Sequence, residues 1–183
     1  MFLKNYFALF LLGLTLTACS EQQARKPISQ STGTFLKESI KRNKKLVANE
    51  EDLIEKVLKK DTAHTYIASE KGYWYTYETL GEGKTTPVRG DIAYFDYEIT
   101  DLYGNVIYSQ EELKPQTYYV DKENIMIGLR HGIKLMHKGD KVKFYFTSHL
   151  AYGYHGDNDK IGTNQPIICI VSLTDIKKDE SQP

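Results

Sequence analysis

The side chains able to do chemistry in this 183-residue sequence do not assemble into covalent machinery. Four histidines, His131, His137, His149 and His155, fall in its second half, with Asp157 and Asp159 close behind. Their spacing lacks the His-x-x-x-His pair that puts two ligands on one helix face. Exposed loop and helix histidines are the plain reading, against a loose surface site flanking residues 151–154. Asp96 and Glu98 lie two apart on a strand pattern, which makes a solvated face more readily than a carboxylate pair. No Gly-x-Ser-x-Gly elbow and no phosphate-cradling loop occurs. Cys169 sits inside Ile167-Ile168-Cys169-Ile170-Val171 and reads as a small core residue. What remains is tyrosine, present 14 times. Its apolar body and polar tip suit a binding cleft that works without a bound metal or cofactor.

The elements that must position such a cleft follow from periodicity. Asp91 to Thr100 alternates, with Ala93, Phe95, Tyr97 and Ile99 on one face. Tyr73 to Tyr77, Val106-Ile107-Tyr108, Tyr118 to Val120, Val142 to Phe146 and Ile167 to Ile176 read as further strands. Ile125 to Met136 is the one later helical stretch, closed by Lys138-Gly139-Asp140. A long Gly-rich loop covers 151–165. Consecutive strands with a single crossing helix predict an antiparallel α+β domain over residues 70–177. Before it, Leu36, Ile40, Val47, Ile54 and Leu58 recur at helical spacing. The segment 35–66 therefore predicts one amphipathic helix, or two broken near Ala48-Asn49 with Asn49 as a cap. That helix either packs on its own domain or serves as a stalk or dimer contact. With 24 basic and 24 acidic residues, the balanced charge argues against a nucleic-acid partner.

The first residues read as an address. Lys4 precedes an apolar run from Tyr6 to Leu16, too short for the about 20 residues of a membrane span. Leu16-Thr17-Ala18-Cys19 resembles a bacterial lipobox, so residues 1–18 are expected to be removed and Cys19 to carry lipid. Residues 19–34 then form a polar tether, and 178–183 a polar tail. Several acyl chains on Cys19 would hold the protein on a bilayer. The expected location is the cell envelope, on the outer membrane facing the periplasm.

Between residues 81 and 176 an ordered set of motifs resembles FKBP-type peptidyl-prolyl cis/trans isomerases. The set is Gly81-Glu82-Gly83 with Val88-Arg89-Gly90-Asp91, Tyr94-Phe95-Asp96-Tyr97, Met126-Ile127-Gly128-Leu129, Leu150-Ala151-Tyr152-Gly153, and Ile161-Gly162-Thr163-Asn164. The resemblance implies a curved antiparallel sheet wrapped on one short helix, preceded here by the amphipathic segment. It implies catalysis by Tyr97 as a wall, Met126 through its backbone N–H, and Tyr152 through its hydroxyl. Ile107, Tyr108, Tyr118, Ile125, Leu129, Phe146, Ile161 and Cys169 would contact substrate. Three departures stand out: Leu129 replaces an aromatic floor, Ile107-Tyr108 replaces Phe-Asp, and Cys169 stands where Phe is frequent. They imply a roomier pocket whose edge has lost a carboxylate. Lipobox, helix and domain together resemble the FKBP-type lipoproteins of gliding bacteria. The implied partners are proline-containing polypeptides, the bilayer, and a membrane motility or secretion complex. Two activities stay open: turnover of X-Pro bonds in exported proteins, or an FKBP-fold module that binds such segments without turning them.

Overall fold

The computed structural model describes residues 33–178. The signal segment, Cys19 with the tether up to residue 32, and the tail from residue 179 lie outside the described residues.

Helix α1 spans Gly33–Lys60 without interruption. No glycine or proline breaks it after Gly33, and propensity carries it through Ala48-Asn49. Asn49 is therefore mid-helix, not a cap, and regular structure ends at Lys60 rather than at residue 66. The helix is amphipathic only where it has something to cover. Ile54 and Leu58 are buried in a small cluster with Tyr145 and Ile168, and Val57, Tyr66 and Trp74 pack around them. Phe35, Leu36, Ile40 and Leu53 remain exposed. The second half of α1 thus packs on its own domain. No helix among the described residues is long and apolar enough to cross a membrane.

Strands β1 (Ile67–Ser69), β2 (Tyr73–Thr79), β3 (Ile92–Thr100), β4 (Val106–Tyr108), β5 (Gln116–Tyr119), β6 (Lys141–Phe146) and β7 (Ile167–Lys177) form one antiparallel sheet. The order is β1-β2-β6-β7-β3-β4, with β5 sharing the outer edge of β3. β1 is too short and too exposed to show in the sequence pattern; it exists because the turn at Gly72 folds it onto β2. β7 reads as a continuous apolar run because both of its faces are covered. Ile167, Cys169, Val171 and Leu173 enter the main core, while Ile168 faces α1.

Helix α2 (Gln110–Leu113) is a single turn with a capping box between Ser109 and Glu112. Helix α3 (Ile127–Gly132) continues as a 3₁₀ turn over Ile133–Leu135, shorter than the predicted 125–136 stretch. It rests directly on the sheet. A Cβ on Gly128 would stand 2.6 Å from the Phe146 ring, and one on Gly132 would stand 2.8 Å from the Phe144 ring. Those rings stack on each other at 5.6 Å. Only a bare backbone fits against them, and this contact fixes the height of α3 above the sheet.

Candidate active site

Tyr97 projects from the middle of β3, opposite Val171 on β7. Its ring lies 5.6 Å from that of Phe95. Alternation along β3 puts both on the core face, and Tyr97 is the one that reaches the sheet's open end half-buried. Tyr152 comes from the loop after the 3₁₀ turn Ser148–Leu150. It is half-buried on the same core, close enough to Tyr97 for each hydroxyl to influence the ionisation of the other. Burial raises the pKa of both hydroxyls, so both stay protonated at neutral pH. Tyr97, Cys169 and Asp157 add to the upward shift at Tyr152.

Ile125 and Met126 arrive on the segment that opens α3, and both are half-buried on the same core. Met126 is the N-cap residue, and its carbonyl accepts from the Arg130 N–H at 3.0 Å. Among the described residues nothing accepts the Met126 N–H, one of the orphan donors every helix start leaves. Ile107 and Tyr108 on β4 complete the half-buried set. Strand β3, strand β4, the start of α3 and the loop after Leu150 therefore each supply half-buried side chains to one core.

Five further residues expected to contact substrate are buried in this structure. Leu129 and Ile161 are each 3% exposed, while Phe146, Cys169 and Tyr118 are 0% exposed. Phe146 supports the wall from under it. Cys169 is inert packing, its thiol pushed up by burial. Tyr118 was expected at an aromatic wall, but it is core: β5 pairs with β3, which turns its ring inward, and its hydroxyl accepts the Asp121 N–H at 2.9 Å. Leu129 does not open a roomier pocket either, because its neighbours cover it. Three concavities of about 730, 540 and 400 Å³ open elsewhere, the first between α1 and residues 148–154.

The lost carboxylate at the edge is replaced from another part of the chain. The Tyr108 hydroxyl donates to Asp157 at 2.6 Å, with Asp159 a second acceptor at 3.1 Å. The bond needs Tyr108 protonated and is strongest with Asp157 ionised. The Asp157 bond, and burial after it, push the Tyr108 pKa up to about 12. Burial opposes ionisation of Asp157, but Tyr108 and the N–H groups of Asp159 and Ile161 outweigh it and hold the carboxyl below its usual range. Lys160 stands over the Tyr108 ring at 4.7 Å and pairs with Glu112 of α2. Tyr108 is thus a tether for the 151–165 loop, joined to α2. Sequence reasoning saw only the missing Asp. The signal it lacked was the run Asp157-Asn158-Asp159-Lys160 folding back onto β4.

The histidines do not converge. His131 stacks on Tyr73 at 6.5 Å with its Nδ1 buried and unpartnered. His137 contacts Asp140 at 3.3 Å, His149 contacts Thr147 at 2.9 Å, and His155 lies against Tyr154. Among the described residues no three His, Cys, Asp or Glu side chains are grouped to hold a metal ion.

Comparison with known proteins gives a consistent family. Residues 83–174 match the family described as FKBP-type peptidyl-prolyl cis-trans isomerase. The chain is 27% identical over 166 residues to a probable FKBP-type peptidyl-prolyl cis-trans isomerase, FkpA, of Neisseria meningitidis serogroup B, covering 90% of this chain and 60% of that protein. It is 32% identical over 112 residues to FkpA of Aeromonas hydrophila, covering 61% and 40%. It therefore spans 60% or less of the length of these curated relatives. Among solved structures, E. coli FkpA superposes with a TM-score of 0.60 at 22% identity, covering 96% of this chain and 83% of that one. A Pseudomonas syringae pv. tomato peptidyl-prolyl cis-trans isomerase gives 0.57 at 20%, covering 72% and 96%. Both share the fold, a curved antiparallel sheet closed on one short helix. With the motifs matched in order across half of its length, this chain belongs to the FKBP-type peptidyl-prolyl cis-trans isomerase family.

Proposed function

We propose that this protein catalyses cis/trans isomerisation of X-Pro bonds. The observation that carries the proposal is the packing of Tyr97, Met126 and Tyr152, half-buried, on one apolar core. Rotation about an amide is slow because resonance must be broken, a barrier of ~18–20 kcal/mol. X-Pro bonds populate both isomers and exchange over tens of seconds or longer. No covalent step is needed to speed this. The twisted amide is less dipolar than the planar one, so a dry, apolar site favours it. The unpaired Met126 N–H holds one substrate carbonyl, and the Tyr152 hydroxyl donates to a second acceptor. Tyr97 and Ile107 wall the prolyl ring. Catalysis is then tighter binding of the twisted form than of either planar isomer.

The substrates we propose are exported polypeptides, with the protein held on a bilayer by lipid on Cys19, on the periplasmic side of the outer membrane. The lipobox-like Leu16-Thr17-Ala18-Cys19 supports that reading, and a place in a motility or secretion complex extends it. Labelling with a radioactive fatty acid tests the anchor: Cys19→Ser should abolish incorporation, and unchanged labelling would refute it. A proline-limited refolding reaction tests the activity, and no acceleration by equimolar protein would refute it. The binding-module alternative draws support from Leu129 being covered. It predicts saturable binding of proline peptides with no rate enhancement.

A further inference from the structure

Glu50 is a carboxylate with 3% exposure on a helix that otherwise buries Ile54 and Leu58. Both of its oxygens are used, and both by one residue. Oε2 accepts from the Ser148 backbone N–H at 2.7 Å, and Oε1 accepts from the Ser148 hydroxyl at 2.8 Å. Among the described residues no lysine or arginine forms an ion pair with it. Burying a carboxylate without a countercharge is unfavourable unless hydrogen bonds replace water, so an apolar residue would serve packing better. Its partner indicates what the carboxylate is for.

Ser148 opens the 3₁₀ turn that delivers Tyr152. The Ser148 carbonyl accepts from the N–H of Ala151 at 2.9 Å and from that of Gly153 at 2.7 Å. These are the two neighbours of Tyr152 in the chain. The Gly153 carbonyl in turn accepts from the Asn164 N–H at 2.9 Å, which ties in the far end of the loop. A line of hydrogen bonds therefore runs from α1 through Ser148 to both sides of Tyr152.

We propose that Glu50 is a positioning residue for Tyr152, making α1 part of the scaffold of the site although it precedes the region that matches the family. The catalytic part of this inference rests on the proposed isomerase activity; the structural part does not. Fixing Ser148 at its N–H and its hydroxyl leaves its carbonyl correctly placed for Ala151 and Gly153. Those bonds hold the Tyr152 backbone while its side chain engages substrate.

The experiment uses the full chain and two readouts. The first is backbone amide exchange at Ala151 and Gly153, referenced to Phe144 and Val171 in the core. The second is kcat and KM for isomerisation of a proline-containing peptide, in wild-type and Tyr152→Phe backgrounds. Glu50→Ala should speed exchange at Ala151 and Gly153 by about tenfold over the core reference, and lower kcat/KM by about fivefold, less than the loss of the Tyr152 hydroxyl itself, mainly in kcat. In the Tyr152→Phe background the same change should lower kcat/KM by less than about twofold, because the group being positioned is absent. Glu50→Gln should recover most of both effects: its carbonyl can accept the Ser148 N–H while its amide donates to the hydroxyl oxygen. Unchanged exchange at Ala151 and Gly153 in folded Glu50→Ala would overturn the proposal, as would equal losses of activity in the two backgrounds. If Glu50→Ala fails to fold, Ser148→Ala removes the hydroxyl bond alone. A smaller shift of the same two amides then supports the clamp, and no shift overturns it. An inactive wild-type protein would defeat the isomerase reading, and the exchange readout would still decide the clamp.

Discussion

Replacing Tyr152 by Phe removes one oxygen and leaves a ring that packs on the same core. Two effects follow, and they separate. In the free protein no group among the described residues hydrogen-bonds the hydroxyl, so its removal should change stability by about 0.5 kcal/mol or less. For a chain of this size that shifts Tm by less than about 2 °C. In the complex the bond to a substrate acceptor is lost. A net bond of ~0.5–1.5 kcal/mol changes kcat/KM by about 2–13-fold. The free protein commits the hydroxyl to no acceptor among the described residues, so the effect falls at the upper end, about tenfold. Burial, with Tyr97 and Cys169 after it, raises the Tyr152 pKa. The hydroxyl therefore remains a donor through the neutral range, and the wild-type rate should be flat from pH 6 to 9. Peptide isomerisation and thermal unfolding measure the two effects side by side. A loss above about 100-fold with Tm intact would give the hydroxyl a proton-transfer role and refute a purely orienting one. No loss at all would remove Tyr152 from the mechanism.

Other predictions concern the scaffold. Gly128→Ala should destabilise by about 1–3 kcal/mol or more, because its Cβ would stand 2.6 Å from the Phe146 ring; an unchanged or raised Tm would contradict the close contact. Ile54→Ala, at 0% exposure, should destabilise by about 2–5 kcal/mol. Leu53→Ala, at 48% exposure, should change stability by less than about 0.5 kcal/mol; equal effects in urea unfolding would mean that α1 is seated differently. The Tyr108–Asp157 tether should hold only within a pH window. The Asp157 pKa is lower in the folded chain than its unfolded value of about 3.9, so its stabilisation is present above that pH and lost as pH falls toward the folded value. The Tyr108 pKa is raised to about 12 from about 10, so its contribution is complete below the lower value and lost as pH rises through the higher. Amide exchange across residues 157–161 should speed up outside those limits. Tyr108→Phe should make it fast throughout; a flat wild-type profile would disprove the tether.

The sheet was legible where each strand buries one face. The alternation of Ala93, Phe95, Tyr97 and Ile99, and of Val142, Phe144 and Phe146, is how a half-buried strand writes itself into sequence. Tyr97, Met126 and Tyr152 were legible as one set only through an ordered series of motifs, since they lie 26 or more positions apart. Other features depend on long-range contact and left no local trace. Tyr118 is an aromatic in a short strand whether it lines a cleft or fills a core; pairing with β3 decides it. Glu50 reads as first-turn acid when Asn49 is taken for a cap, and its burial follows only once α1 is continuous. Tyr108 reads as a loss because the carboxylate it holds comes from 49 residues further on.

Where Gly128 and Gly132 rest on Phe146 and Phe144, the depth of the site is set by atoms that are not there. Any side chain at those two positions acts as a shim: it raises α3, and Leu129 and the Met126 N–H rise with it. Changes to the upper rim alter what the site grips, but not how far down the grip extends. A redesign meant to admit a bulkier ring next to proline would do better to shorten Phe146 from below than to trim the helix above it.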